Sequence, residues 1–118
     1  MNQLQQLRKG STFLLILDVL SGGKKYGYQI MRELEQRSEG YFSMNAALLY
    51  PALHQLEQDG LVEAEWEEGQ GGRRRKYYTI TENGHRALDA HRAEWSQFIT
   101  RLGQTLHNPL NETGESAS

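Results

Sequence analysis

The sequence predicts a mainly α-helical domain that carries one small β-hairpin. Three observations predict it. Segments with apolar residues three or four apart are separated by glycines, which is the punctuation of helices. Two short segments rich in aromatic and β-branched residues flank a stretch with three glycines in four positions. A last segment repeats large apolar residues on one helical face. The chain has 118 residues, which supports one domain. Its hydrophobic share of 37% and mean hydropathy of −0.73 imply a modest core. Chains this small and polar often gain stability by pairing with a second subunit.

The first helix is expected from about Leu4 to Leu20. Its second half is apolar on nearly every face, the mark of a buried helix. Gly22 and Gly23 end it. A second helix fits Tyr26 to Ser38, with Ile30, Met31 and Leu34 on one stripe and Arg32, Glu33, Glu35 and Gln36 facing away. Gly40 closes it, and Tyr41-Phe42-Ser43 reads as a very short strand or a turn. A third helix fits Ala46 to Asp59, with Asn45 as its N-cap and Leu49, Leu53 and Leu56 at helical spacing. Pro51 leaves two readings open: a helix from Ala46 that is locally bent, or a helix that begins nearer the proline.

Two strands follow, Leu61 to Trp66 and Lys76 to Ile80. Trp66 is expected in the core or as cover for its strand. Tyr77 and Tyr78 are expected to pack within the strand layer rather than to stack single-stranded bases. The hairpin tip, about residues 67–75, holds Gly69, Gly71 and Gly72. Thr81 caps a final long helix over residues 81–106. Leu88, Trp95, Phe98, Ile99, Leu102 and Leu106 share one face of it. At about 1.5 Å per residue it is about 35 Å long, more than a small domain can cover alone. Part of the stripe is therefore expected to meet another chain. Residues 107–118 read as a disordered tail.

Composition removes several classes of function. With no cysteine there is no disulfide scaffold, thiolate metal site or cysteine nucleophile. The longest apolar run, Phe13 to Leu17, falls far short of the ~20 residues needed to span a bilayer. No signal peptide is legible, so the expected compartment is the cytoplasm, and no membrane partner is expected. No enzyme motif is present: no G-x-S-x-G, no Walker loop, no H-E-x-x-H. No catalytic residue, metal site or cofactor is expected. Glu82, His85 and Asp89 share a helix face, a spacing common on exposed helices.

The net charge of −2 argues against a general nucleic-acid coat but not against a local basic patch. Glu63 to Glu68 holds four acids, whereas Gly69 to Thr81 holds Arg73, Arg74, Arg75 and Lys76 and no acid. Three helices, then a strand, a glycine-rich basic hairpin, a strand and a helix form the order of a winged helix-turn-helix domain. In such a domain one helix enters the DNA major groove and the hairpin, or wing, reaches backbone or minor groove. Asn45, Ala46 and Ala47 allow close approach of the helix front. Tyr50, His54 and Gln58 lie away from the leucine face and can donate to phosphates or base edges. Gly71 and Gly72 give the wing flexibility, and Arg73, Arg74 and Arg75 give it positive charge.

These residues also carry a family resemblance. Tyr26-Gly27-Tyr28-Gln29-Ile30 resembles the start of the second helix in the PadR-like transcriptional regulators. The run from Leu49-Tyr50-Pro51 to Gly60-Leu61-Val62 resembles their third helix and its exit. Gly71-Gly72-Arg73-Arg74-Arg75-Lys76-Tyr77-Tyr78 is similar to their wing and last strand. The motifs keep family order from about Leu7 to Leu106, with Leu48 standing where many relatives carry Thr. The resemblance implies a homodimeric repressor of the short subfamily. Residues 1–80 would form the DNA-binding domain, and the helix of residues 81–106, with help from the first helix, would make the dimer. It implies double-stranded DNA with a palindromic operator as partner. It implies DNA contacts at Asn45, Ala46, Ala47, Tyr50 and His54, and at Gly71, Gly72, Arg73, Arg74 and Lys76. Tyr26 and Tyr28 join them as contacts or as core. Short members that sense flat aromatic molecules look similar around Trp95, with Phe98 and Ile99 as further pocket walls. Such a ligand would gain stacking between two facing indoles, whereas a plain dimer core is the other reading of Trp95. Two different functions stay open beside the repressor: a winged helix used for protein contact, and a small-molecule-binding dimer with little DNA sequence preference.

Overall fold

The computed structural model describes residues 2–107, apart from the side chain of Gln70. The expected tail lies outside the described residues from position 108 on. Helix α1 spans Gln3–Gly10 and helix α2 spans Thr12–Leu20. Strand β1 (Lys25–Tyr26) leads into α3 (Gly27–Arg37), and α4 covers Ala46–Gln58. Strands β2 (Val62–Glu68) and β3 (Arg74–Ile80) form the hairpin, and α5 covers Glu82–Thr105.

The first helix is two helices, not one. The break falls at Gly10-Ser11, where the Ser11 N–H is shared between the Leu7 and Arg8 carbonyls and its hydroxyl donates to Arg8 at 2.8 Å. A Gly/Ser pair is a common cause of such a kink. Asn2 caps α1: its side chain accepts from the Gln5 N–H at 2.8 Å while Gln5 reaches back to the Asn2 N–H. In α2, Ile16, Leu17, Val19 and Leu20 are fully buried, as a largely apolar helix requires.

Helix α3 buries Ile30 and Leu34 and ends in a left-handed turn, with Glu39 at φ 52° and Gly40 at φ 86°. The Gly40 N–H donates to the Glu35 carbonyl at 2.8 Å and closes the helix. Tyr41-Phe42-Ser43 is a bend, not a strand. Helix α4 starts at Ala46. The Asn45 side chain accepts from the Leu48 N–H at 2.9 Å, so Pro51 lies inside the helix. Proline has no N–H for the Ala47 carbonyl. Pro51 is exposed, whereas Leu49, Leu53 and Leu56 are fully buried.

The sheet has three strands in the order β1-β3-β2, all antiparallel. Strand β1 was not expected, because two residues carry no alternation to read. It holds Tyr26 edge-on to Tyr77, ring centroids 5.4 Å apart. The hairpin tip is Gly69 to Arg73, closed by the Gly69 N–H donating to the Arg73 carbonyl at 2.6 Å. Gly71 and Gly72 both sit at φ 75°, the left-handed region that glycine enters without strain.

The Thr81 hydroxyl donates to the Gly60 carbonyl at 2.7 Å and accepts from the Gly84 N–H at 3.0 Å, which caps α5 and ties it to the exit of α4. The chain forms two compact units, one running through Leu88 and one from Asp89 on. The core of the first gathers α2, α3 and α4 with Val62, Tyr78 and Ile80 of the sheet and Leu88 of α5.

Candidate nucleic-acid interface

The leucine stripe of α4 sets what its other face presents. With Leu49, Leu53 and Leu56 turned into the core, Asn45, Ala46, Ala47, Tyr50 and His54 are all exposed. Tyr50 is held in place by an absence. A Cβ on Gly27 would overlap the Tyr50 ring and hydroxyl, so glycine alone lets the ring lie on the start of α3. This contact links Tyr26-Gly27-Tyr28 to the front of α4.

Alternation along the hairpin sorts the wing by face. Trp66 pairs directly with Lys76, and Ala64 with Tyr78, so these four share one side with Arg74. Arg75 pairs with Glu67 and lies on the other side with Tyr77. There the Arg75 guanidinium stands 4.4 Å from the centroid of the Tyr26 ring. Lys24 meets Glu67 at 2.6 Å, a hydrogen bond that holds the lysine pKa above its ordinary value. Cations and acids thus meet on the outer face, whereas the inner face carries Arg74 and Lys76 with Glu68 across from Arg74.

The α4 face and this inner wing face border one groove of about 480 Å³. Tyr50, His54 and Glu57 line it from α4, Trp66, Arg74 and Lys76 from the inner face of the hairpin, and Tyr26 and Arg75 reach it from the other face. Glu57 is the one acid among its lining residues. Burial pushes the Tyr78 phenol pKa up, with Tyr50 and Glu57 adding to the shift. Glu57 also borders Gly60 and Val62 at the start of β2, so it stands at the core end of the groove, and Arg74 at the tip end.

Of the residues singled out in the sequence, Tyr26, Tyr50, His54, Arg74, Arg75 and Lys76 line this groove. Asn45, Ala46, Ala47, Gly71, Gly72 and Arg73 are exposed but stand outside its lining. Tyr28 is 55% exposed and accepts a hydrogen bond from Arg32 at 3.2 Å, so it is not core. Tyr26 is half-buried between Arg75 and Tyr77. Sequence reasoning missed Trp66. Expected in the core or as strand cover, it is 56% exposed on the groove, with the Arg74 guanidinium 5.6 Å from its ring centroid. It lies on the same side as Val62 and Ala64, but the sheet runs past the end of the core.

In the second unit, Trp95 is half-buried and meets Phe98 edge-on, centroids 6.0 Å apart. Phe98, Ile99 and Leu106 are exposed. Among the described residues, no group of three or more His, Cys, Asp or Glu is placed to hold a metal, and no helix is long and apolar enough to cross a membrane.

A capped helix with a polar outer face beside a basic hairpin is the arrangement of the winged-helix DNA-binding proteins. Residues 16–90 match the transcriptional regulator PadR-like family, and the chain belongs to it. It is a DNA-binding transcriptional regulator of that family. It is similar to a transcriptional regulator from Clostridium thermocellum, Cth-833, at TM-score 0.78 and 25% identity, covering 86% of this chain and 98% of that one. A PadR family transcriptional regulator from Eggerthella lenta matches at TM-score 0.71 and 32% identity, over 86% and 82% of the two chains. The transcriptional regulator YqjI of Escherichia coli K12 is 29% identical over 93 residues. That match covers 79% of this chain and 43% of the relative, so the chain spans less than half of that protein's length.

Proposed function

We propose that the chain acts in the cytoplasm as a homodimeric repressor that binds a palindromic operator and is released by a flat aromatic molecule at the dimer interface. In this reading residues 1–80 form the DNA-binding part and residues 81–106 the dimerisation helix. The observation that carries the DNA contact is the groove that joins the exposed face of α4 to Arg74 and Lys76. Asn45, Ala46, Ala47, Tyr50 and His54 enter a major groove, with Tyr26 and Tyr28 beside them. Gly71, Gly72, Arg73, Arg74 and Lys76 reach the backbone. Two α4 helices in successive major grooves stand about 34 Å apart, one turn of the duplex. The cations gain affinity through release of counterions from the phosphates.

The dimer is supported by Phe98, Ile99 and Leu106, three large apolar side chains left in water on α5 and just past its end. Trp95 beside Phe98 offers an aromatic wall for a planar ligand. Such a ligand relieves repression only if it prefers the subunit arrangement that misfits DNA.

The test is fluorescence anisotropy on a labelled fragment from upstream of the chain's own gene, at several salt concentrations, with random duplex as competitor. Binding that survives competitor and weakens steeply with salt is the expected result. Binding that competitor abolishes, or addition of flat aromatic dyes without release, would count against a ligand-relieved specific repressor.

A further inference from the structure

We propose that Trp66 is a seat for the sugar–phosphate backbone of duplex DNA: its indole packs on a deoxyribose while Arg74 and Lys76, on the neighbouring strand, hold two successive phosphates. The proposal rests on the DNA-binding reading and adds a residue and a contact to it.

Burial along β2 shows why the indole stands out. On one side of the strand Val62 is 1% exposed, Ala64 is half-buried and Trp66 is 56% exposed. A tryptophan left in water at the end of that series has no packing role to explain it. Two cations stand beside it on β3. Lys76 pairs directly across from it, and the Arg74 guanidinium, on the diagonal, stands 5.6 Å from its ring centroid. Diagonal neighbours in a sheet lie within reach of side chains this long, and the cation is drawn to the negative ring face. Glu68 pairs with Arg74 at the tip end, and Glu57 lines the groove at the core end.

Spacing selects the partner. Residues two apart on a strand advance about 6.7 Å. Successive phosphates along one DNA strand are separated by a similar distance, with a flat, weakly polar sugar between them. Arg74 and Lys76, two apart on β3, therefore match two successive phosphates, and the indole on the neighbouring strand, across from Lys76, lies beside them where the sugar runs. The groove is continuous with the exposed face of α4, so a duplex seated on that helix passes its backbone over the wing. A contact of this kind touches no base edge, so it adds affinity without sequence preference.

The chain has two tryptophans, Trp66 and Trp95, which makes the contact readable. In the full Trp95→Phe chain, duplex DNA should shift the emission of Trp66 to shorter wavelength and protect it from acrylamide. Both changes should saturate together with the anisotropy of a labelled duplex. In the wild-type chain, the difference spectrum against Trp66→Phe reads the same indole if Trp95→Phe does not fold. Trp66→Ala should weaken binding about tenfold on operator and random duplex alike. Its log–log salt slope should stay that of the wild type, because no charge is removed, whereas Arg74→Ala should lower the slope by about one. Trp66→Phe should recover most of the loss. Unmoved Trp66 emission with rising anisotropy overturns the seat and leaves the DNA reading standing. A salt slope that falls in Trp66→Ala also overturns it, since the indole would then act only by orienting Arg74. Absence of any anisotropy rise with the wild-type chain removes both.

Discussion

Gly27 and Gly84 are glycines for want of space, and the two spaces differ. At Gly27 a Cβ would strike the Tyr50 ring, the far end of a side chain that can swing away. At Gly84 it would strike the carbonyl oxygen of Leu61, a backbone atom fixed by its bond from the Thr81 N–H at 3.0 Å. Gly27→Ala should therefore cost about 1–3 kcal/mol, the usual range for overpacking. Gly84→Ala should cost more. Thermal unfolding of the two variants checks the order. Gly27→Ala should also weaken DNA binding, because it displaces Tyr50 from the groove, whereas an unchanged affinity would remove Tyr50 from the contacts. A second residue sets a pH limit. Burial raises the Tyr78 phenol above its ordinary value of 10.0, so the folded chain holds that proton more tightly than the unfolded one. Stability from this group is fully present below about pH 10 and is lost as pH rises through the folded value. The unfolding free energy of the wild type should fall more steeply from pH 9 to 11 than that of Tyr78→Phe, as denaturant titrations at each pH would read.

Among the elements, α4 carries two demands on one residue. Asn45 caps the helix through its side-chain oxygen, and the same side chain stands at the helix front proposed to face DNA. Aspartate caps as well as asparagine and suits the positive helix end. Asn45→Asp should therefore leave the melting temperature unchanged or raise it, yet weaken DNA binding by placing a carboxylate against phosphate. Asn45→Ala should instead cost about 1 kcal/mol of stability. Equal DNA affinity in wild type and Asn45→Asp would place that end of α4 away from the duplex. This cap was legible in the sequence, as was Thr81, because both are polar residues just before a periodic apolar run. The buried faces of α2, α3 and α4 were legible for the same reason. The kink at Ser11 was not, since apolar spacing continues across it and only the Gly10-Ser11 pair marks it in the sequence. Nor was β1, whose two residues acquire strand character only from pairing with β3. Trp66 was misplaced because alternation tells which side of a sheet a residue takes, and not where along that side the core stops.

At the scale of the whole molecule, the part of α5 from Asp89 on, with Leu106 just past its end, has more apolar surface than it covers. Phe98 is 48% and Ile99 47% exposed, and Leu106 follows at 41%. Two functions are proposed for this region, pairing and ligand binding, and substitution can part them. Ile99→Glu adds a charge to an apolar contact between two copies, where it would be desolvated and unpaired. Light scattering should then report a monomer at concentrations where the wild type is expected to pair. The concentration dependence of the melting temperature, expected for the wild type, should vanish. Affinity for a palindromic duplex should collapse, whereas affinity for a single half-site should change little, because each subunit keeps its own α4 and wing. Trp95→Ala separates the other role. Loss of dye binding with the dimer intact assigns the indole to the ligand wall, and retained dye binding with a weakened dimer assigns it to the pairing surface. If Ile99→Glu remains a dimer and binds the palindrome as before, pairing lies elsewhere on the chain and the proposed route from ligand to DNA through α5 is lost with it.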